Sequence, residues 1–384
     1  MPDMPGACGG PRLVPACAAV IDSNDEEWRV ANVQRFPENP LIRPEDVPPS
    51  RDGMQVVGTF NAGAFRLGGR VGLLVRVAER PVQEDRDTVV VPAFDTAHYP
   101  PGVERVRLRR DDPAWDFSDR RVVLARPGGP APHHYLTSIS HLRLAWSDDG
   151  RRFSLDGLET AIWPDHPRGR FGLEDPRVTE IDGLYHITCS AVGDGGICVV
   201  LLTTTDFRVL ARHGAILPPE NKDVCLFPAR QGGDYVILHR PSGAWCKPGI
   251  WIAHSPDLVH WGAHRFLAGP RPGRWDGDRI GAGPPPIRTP RGWLVIYHGS
   301  GPQGYCLGAI LLDIEDPGRV LARSDQPLAA PRADYERDGF FSDVIFCNGL
   351  AETGDGELWL YYGAADRVTA GGRLSVRDVL DTLA

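Results

Sequence analysis

Apolar and polar positions alternate in short runs along this chain, and the runs are separated by turns that end in glycine. Four segments share one shape, a Gly-terminated turn followed by a strand of alternating aliphatic and aromatic residues. They are Asp182-Gly-Leu-Tyr-His-Ile-Thr-Cys-Ser190, Gly232-Gly-Asp-Tyr-Val-Ile-Leu-His239, Arg291-Gly-Trp-Leu-Val-Ile-Tyr-His298 and Asp355-Gly-Glu-Leu-Trp-Leu-Tyr-Tyr362. A looser fifth copy is Gly69-Arg-Val-Gly-Leu-Leu-Val-Arg76. Period-two alternation predicts half-buried strands. Companion runs end in Asp-containing turns at Ala145–Gly150, Thr203–Phe207 and Ala253–Leu258 and predict the next strand of each unit.

Neighbouring copies lie about 50 to 65 residues apart, with a longer gap after the first. That spacing predicts an all-β, five-bladed β-propeller over residues 56–370. A β-sandwich, which would show shorter and more even spacing, is the second choice. The Pro-rich stretch 1–55 reads as an irregular N-terminal arm, and 371–384 as a C-terminal segment with a short helix over Leu374–Leu383.

Composition narrows the function. Plentiful Gly and Pro without long Ala/Leu/Glu/Lys runs suit many short strands. A net charge of −8 with no basic tract argues against nucleic acid as a partner. No apolar run is long enough for a bilayer span, so no membrane is expected. Met1–Val20 lacks the basic and apolar regions of a signal peptide. Eight singly scattered cysteines form no CxxC pair, and Cys189, Cys225 and Cys347 read as buried thiols. A cytoplasmic location is expected. His133, His134 and His141 fit no zinc spacing, so no metal is expected, and they read as solvated or sugar-contacting groups.

Chemistry gathers at the strand ends. In Phe171-Gly-Leu-Glu-Asp-Pro-Arg-Val178, proline forces extended or turn backbone on Asp175. Glu174 and Asp175 should then point to opposite sides, one binding an arginine and the other facing the channel. Taken alone, this is an ordinary Asp-Pro turn with a surface salt bridge. The pair Lys222-Asp223, the cations His239 and Arg240, and His298 are each unremarkable singly, whereas the Gly/Pro-rich run Trp275–Ile287, with Arg279 near its start, allows a tight backbone path close to a ligand and is not a P-loop. In a propeller they enter one channel, where Lys222, Arg240, Arg279 and His298 would need an anion to balance them. A single acid beside a phosphate-sized basic pocket suggests phosphorolysis, which needs an acid but no base.

These residues also carry a family resemblance. The chain resembles the mannoside phosphorylases of glycoside hydrolase family 130 through eight motifs in order, from Asn61 and Leu73–Arg76 to Tyr361-Tyr-Gly-Ala-Ala-Asp366. Between them lie Tyr135–Arg143, Gly172–Val178, Asn221–Pro228, Leu238–Pro241, Ile280–Ile287 and Tyr297–Gly299. The resemblance implies a five-bladed propeller that cleaves β-linked mannosides with inorganic phosphate, giving α-mannose 1-phosphate and using no other cofactor. It places the catalytic acid on Asp175, acting through the sugar 3-hydroxyl. It places phosphate binding on Lys222, Arg240, Arg279 and His298, and substrate binding on Asn61, Arg76, Arg80, Glu174, Asp223 and Asp366. The loops around Ser138–Arg143 and Ile280–Ile287 look most like members acting on β-1,2-mannobiose or oligomannosides. Arg279 stands where many relatives have Lys, and Ala229 where Glu is expected. Two alternatives remain: an inverting β-mannosidase with Asp223 or Asp343 as base, and a non-catalytic carbohydrate-binding propeller. A homo-oligomer is left open.

Overall fold

The computed structural model describes residues 33–127, 134–165, 167–243, 245, 247–354 and 356–383. Residues 1–32 of the stretch read as an arm, with the segment Met1–Val20 read for a signal peptide, and Cys8, Cys17, Cys246, His133, Asp355 and the final residue of the C-terminal segment lie outside them.

The described chain is all-β, and its α-helices are Asp334–Arg337 and Val376–Thr382. Strands run mostly as antiparallel meanders. Asn221–Leu226, Tyr235–Pro241, Ile250–Ser255 and Gly262–Ala268 form a four-stranded sheet in that order. Arg279–Ala282, Gly292–Gly301, Gly304–Leu312 and Val320–Arg323 follow in the same way, with Ile287–Thr289 also pairing the second strand. Ile345–Glu352, Glu357–Ala364 and Val368–Ser375 form the last meander, which Gln34–Arg35 completes by pairing with Val368–Ser375.

The first part of the chain is an eight-stranded sheet. It divides at one parallel pair, Gly172 with Ser140. On one side lie Met54–Leu67, Arg70–Pro81, Ile139–Ser147 and Ser154–Leu155; on the other, Gly172–Ile181, Leu184–Gly193, Gly196–Thr204 and Ala211–Leu217.

The recurring Gly-aromatic segments of the sequence are the second strand of each antiparallel set, and the companion runs end the third. The longer gap after the first copy is an excursion. It carries the hairpin Thr88–Asp95 with Gly102–Arg109 and the short strands Trp115–Asp116, Val122–Ala125 and Tyr135–Leu136.

Each set shares a hydrophobic core with the next. Phe65 and Leu142 meet Leu173 and Ile187, Val199 and Leu201 meet Leu226 and Ile237, and Leu238 and Ile252 meet Trp293 and Val295. Leu294 and Leu307 meet Leu358 and Leu360, and the order returns to its start where Tyr361 packs with Leu73 and Val75. Alternation along the strands supplies these apolar faces. The C-terminal helix is capped by Ser375, whose Oγ accepts from the Asp378 amide at 3.2 Å.

Candidate active site

The first strand of several sets breaks its register beside the cavity. The shifts fall between Phe60 and Gly63, Glu174 and Arg177, Lys222 and Cys225, and Cys347 and Gly349. Within the first three, Asn61, Asp175 and Asp223 take φ of +52°, +52° and +53°. Asn and Asp tolerate this left-handed conformation better than other side chains, and a bulge re-aims its residue. The bulges turn these groups inward, onto a cavity of about 410 Å³.

Asp175 is the centre of one cluster. Its Oδ1 accepts from Asn61 Nδ2 at 2.8 Å and from Arg76 Nη1 at 3.0 Å. Arg76 also donates to Glu174 Oε1 at 2.7 Å and Ser140 Oγ at 3.1 Å, while its guanidinium lies over the Phe60 ring at 4.6 Å. The expectation that Glu174 and Asp175 face opposite sides is therefore corrected: the bulge between them and Arg177 brings both carboxylates to one arginine.

Burial pushes the Asp175 carboxyl up, but Arg76, the Asn61 hydrogen bond, Lys222 and Arg177 together hold it below its ordinary value. Glu174 is raised by burial and by Asp175, against the pull of Arg76 and Lys222. Asp366 is pushed up to about 6 by burial, with Asp175 and Glu174 adding to the effect.

Asp223 centres a second cluster. Its Oδ2 meets Arg240 Nη1 at 2.5 Å and His298 Nε2 at 3.0 Å, and its Oδ1 meets Arg177 Nη2 at 3.3 Å. These partners overcome burial and hold Asp223 well below the usual carboxylate range. Arg177 ties the clusters together, donating to the carbonyls of Asp175 at 3.4 Å, Ala282 at 3.1 Å and Gly283 at 3.1 Å.

Ten of the sequence-derived site residues line the one cavity: Asn61, Arg76, Arg80, Glu174, Asp175, Lys222, Asp223, Arg240, Arg279 and Asp366. His298 does not. It is wholly buried behind Asp223 and Arg240, its ring 4.0 Å from that of Phe346, and burial lowers it to about 4, so it is neutral near pH 7. The expectation that it is a phosphate-facing cation is corrected, because desolvation outweighs the Asp223 carboxylate.

The cationic set also contains its own anion. Asp223 balances part of the charge that was expected to need an external one. His239, read as a cation, is buried, lowered to about 4, and hydrogen-bonded to Asn221 at 3.1 Å and His264 at 3.0 Å. Asp343, a candidate base, is exposed and is not among the residues lining the cavity, although Phe341 and Val344 beside it are. His141 is buried and stacked 4.4 Å from Trp163, not solvated or sugar-facing. Arg143 lies on the buried strand Ile139–Ser147, not in a loop.

The sequence reading missed Phe60, Arg121, Tyr305, Phe341 and Phe346, which supply much of the remaining wall. Their spacing carries no common signal, since they come from unrelated strands and loops. Asn348 was also missed; its Asn-Gly step inside an apolar run is a bulge signal of the kind that could have marked it. Among the described residues no group of three or more His, Cys, Asp or Glu is arranged to hold a metal ion.

Carboxylates and guanidinium groups paired around one cavity, with Lys222 and Arg279 beside them, are the equipment of a carbohydrate-active site that handles an anion. Residues 133–384 match the glycoside hydrolase family 130 model, described as β-1,4-mannooligosaccharide phosphorylase. The chain belongs to that family. It is 44% identical to the β-1,2-mannobiose phosphorylase of Listeria innocua, over 92% of this chain and 98% of the relative. It is 38% identical to a 1,2-β-oligomannan phosphorylase of a Thermoanaerobacter species, over 65% of this chain and 83% of the relative. The solved structure of the Listeria enzyme with β-1,2-mannobiose superposes with a TM-score of 0.86, covering 92% of this chain and 99% of the other.

Proposed function

We propose that this chain is an inverting phosphorylase of β-linked mannosides, acting on β-1,2-mannobiose or β-1,2-oligomannosides to give α-mannose 1-phosphate. The observation that carries the reading is the division of labour at Asp175. Both protein donors fall on Oδ1, leaving Oδ2 without a hydrogen-bond partner among the described residues, in a cavity that also holds Lys222, Arg240 and Arg279. Asp175 is ionised in the free protein and takes up a proton at Oδ2 only with the substrates bound; that oxygen then hands the proton toward the leaving group, through the mannosyl 3-hydroxyl. Phosphate, held by the three cations, attacks the anomeric carbon. The proton of hydrogen phosphate replaces the one Asp175 has given up, so the reaction balances without a base and without a cofactor beyond phosphate. Asn61, Arg76, Arg80 and Asp366 hold the mannosyl unit, while Glu174 and Asp223 act through Arg76 and Arg240.

The five antiparallel sets are proposed as propeller blades over 56–370, supported by the cyclic order in which they share cores. Of the arm read over 1–55, residues 33–55 are described and are proposed to pack on the propeller, with 371–384 as the C-terminal segment. A cytoplasmic location is proposed alongside, supported by five buried free thiols among the described residues.

Hydrolysis would require a carboxylate free to activate water opposite the acid. Asp223 is committed to Arg177, Arg240 and His298, which disfavours it as that base. Product analysis decides the matter: β-1,2-mannobiose should give mannose 1-phosphate only when phosphate is present. Equal release of free mannose in phosphate-free buffer would overturn the proposal.

A further inference from the structure

The acid is held by a neighbour whose own support comes from the far end of the chain. Asn61 reaches Asp175 only because its backbone is left-handed and its amide is aimed across a bulge. Two residues of the last sheet flank it. Asn348, wholly buried in the register break of Ile345–Glu352, donates from Nδ2 to the Asn61 carbonyl at 3.2 Å. Gly363, on the adjacent strand Glu357–Ala364, leaves the space the Asn61 side chain occupies. A Cβ at Gly363 would lie 2.0 Å from Asn61 Oδ1 and 2.8 Å from its backbone nitrogen.

The Asn348 amide is costly where it is. Its Oδ1 is buried without a hydrogen-bond partner among the described residues, and so is Oδ1 of Asn61. An unsatisfied buried acceptor is expensive. An apolar side chain of similar size would avoid that expense, and with it would lose the donor to Asn61. Left-handed backbone at a non-glycine residue is itself strained and persists only where the surroundings enforce it. Asn348 supplies such enforcement from one side, and the absence of a side chain at Gly363 permits it from the other.

We propose that Asn348 and Gly363 are positioning residues that fix Asn61, and through Asn61 the orientation of the Asp175 carboxyl. Neither touches the cavity: neither is among its lining residues. This inference rests on the reading of Asp175 as the acid.

Three variants test it: Asn348→Asp, which replaces the donor with oxygen at nearly the same volume; Asn348→Thr, which returns a donor on a shorter arm; and Gly363→Ala. For Asn348→Asp and Gly363→Ala, kcat should fall about 10-fold or more while KM for phosphate, which Asn61 does not hold, stays within about threefold, since general-acid alignment contributes factors of this size and larger. Asn348→Thr should recover part of the loss.

Asn61 donates to the Asp175 carboxylate, so displacing it makes that carboxyl harder to ionise. The descending limb of kcat against pH, which reports the acid in the enzyme–substrate complex, should move to higher pH. The other groups acting on Asp175, namely Arg76, Arg177, Lys222, Glu174 and Asp366, are unchanged in these variants.

In an Asn61→Ala background the effect of Asn348→Asp should shrink to within about twofold, because coupled residues are non-additive. Full additivity there, or an unmoved pH limb, overturns the proposal even if activity falls. Should Asn348→Asp fail to fold, the same two readouts on Asn348→Thr and Gly363→Ala decide the question. If Asp175→Asn retains full phosphate-dependent activity, the acid assignment fails first and the positioning role falls with it.

Discussion

Asp223 and Arg240 form an ion pair of 2.5 Å in which both side chains are almost completely buried. The pair holds the guanidinium at the cavity wall, and Asp223 is itself held by Arg177 and His298. The carboxylate read as a candidate base is thereby a fixture for the Arg240 guanidinium.

Replacing Asp223 with Asn should leave two buried arginines without their counter-ion. Breaking one partner of a buried pair costs about 3–5 kcal/mol. A clear drop in the melting temperature is expected, together with at least a tenfold rise in KM for phosphate as Arg240 loses its orientation. Thermal melts and initial rates against phosphate check the two effects separately.

Asp175→Asn keeps the size of the side chain and can still meet Asn61 and Arg76 through its remaining oxygen, so the fold should survive. Loss of a positioned proton donor lowers rates by about 10²–10⁴. Phosphorolysis of β-1,2-mannobiose should fall by that order with circular dichroism unchanged.

Arg279 is exposed on its strand and is a cation at the cavity wall without a salt bridge among the described residues. Arg279→Lys should keep charge but lose forked contacts to phosphate oxygens, and Arg279→Gln should lose both. KM for phosphate should therefore rise in the order wild type, Lys, Gln, with kcat changing less. A rise in KM for mannobiose in place of phosphate would count against the assignment.

Asp366 carries a pH signature in stability. Its folded value of about 6 lies above the ordinary carboxylate value of 3.8, so the folded state holds a proton that the unfolded state has released. Stability is thus lost as pH rises from the lower value through about 6. Asp366→Asn removes that penalty. Denaturant unfolding should show the variant more stable than wild type at pH 8, by on the order of 1–2 kcal/mol, with the gap closing toward pH 4. Asp175 and Asp223 act with opposite sign: their depressed values contribute stability at neutral pH that is lost on acidification.

Much of this was legible in one dimension. Gly-terminated turns followed by alternating aromatic strands marked the second strand of each set, because a half-buried strand must alternate and a tight turn needs glycine. The polar residues at the ends of those strands and of their neighbours then pointed to a shared pocket, and ten of them line it.

The same alternation misled at Glu174 and Asp175. Regular strand geometry separates neighbours to opposite faces, but a bulge suspends that rule, and one turn of backbone to φ +52° brought both to Arg76. No local signal distinguishes a regular Asp-Pro strand from this one.

The amino-acid sequence by itself determined the strand periodicity, the β class and the residue types brought to the site, since these follow from short-range pattern and turn chemistry. Tertiary structure alone decided which groups face the cavity and in what charge state. His298 became a neutral, buried support because desolvation acts only after packing, and Asp223 became a clamp because Arg177, Arg240 and His298 reach it from 46, 17 and 75 positions away along the chain.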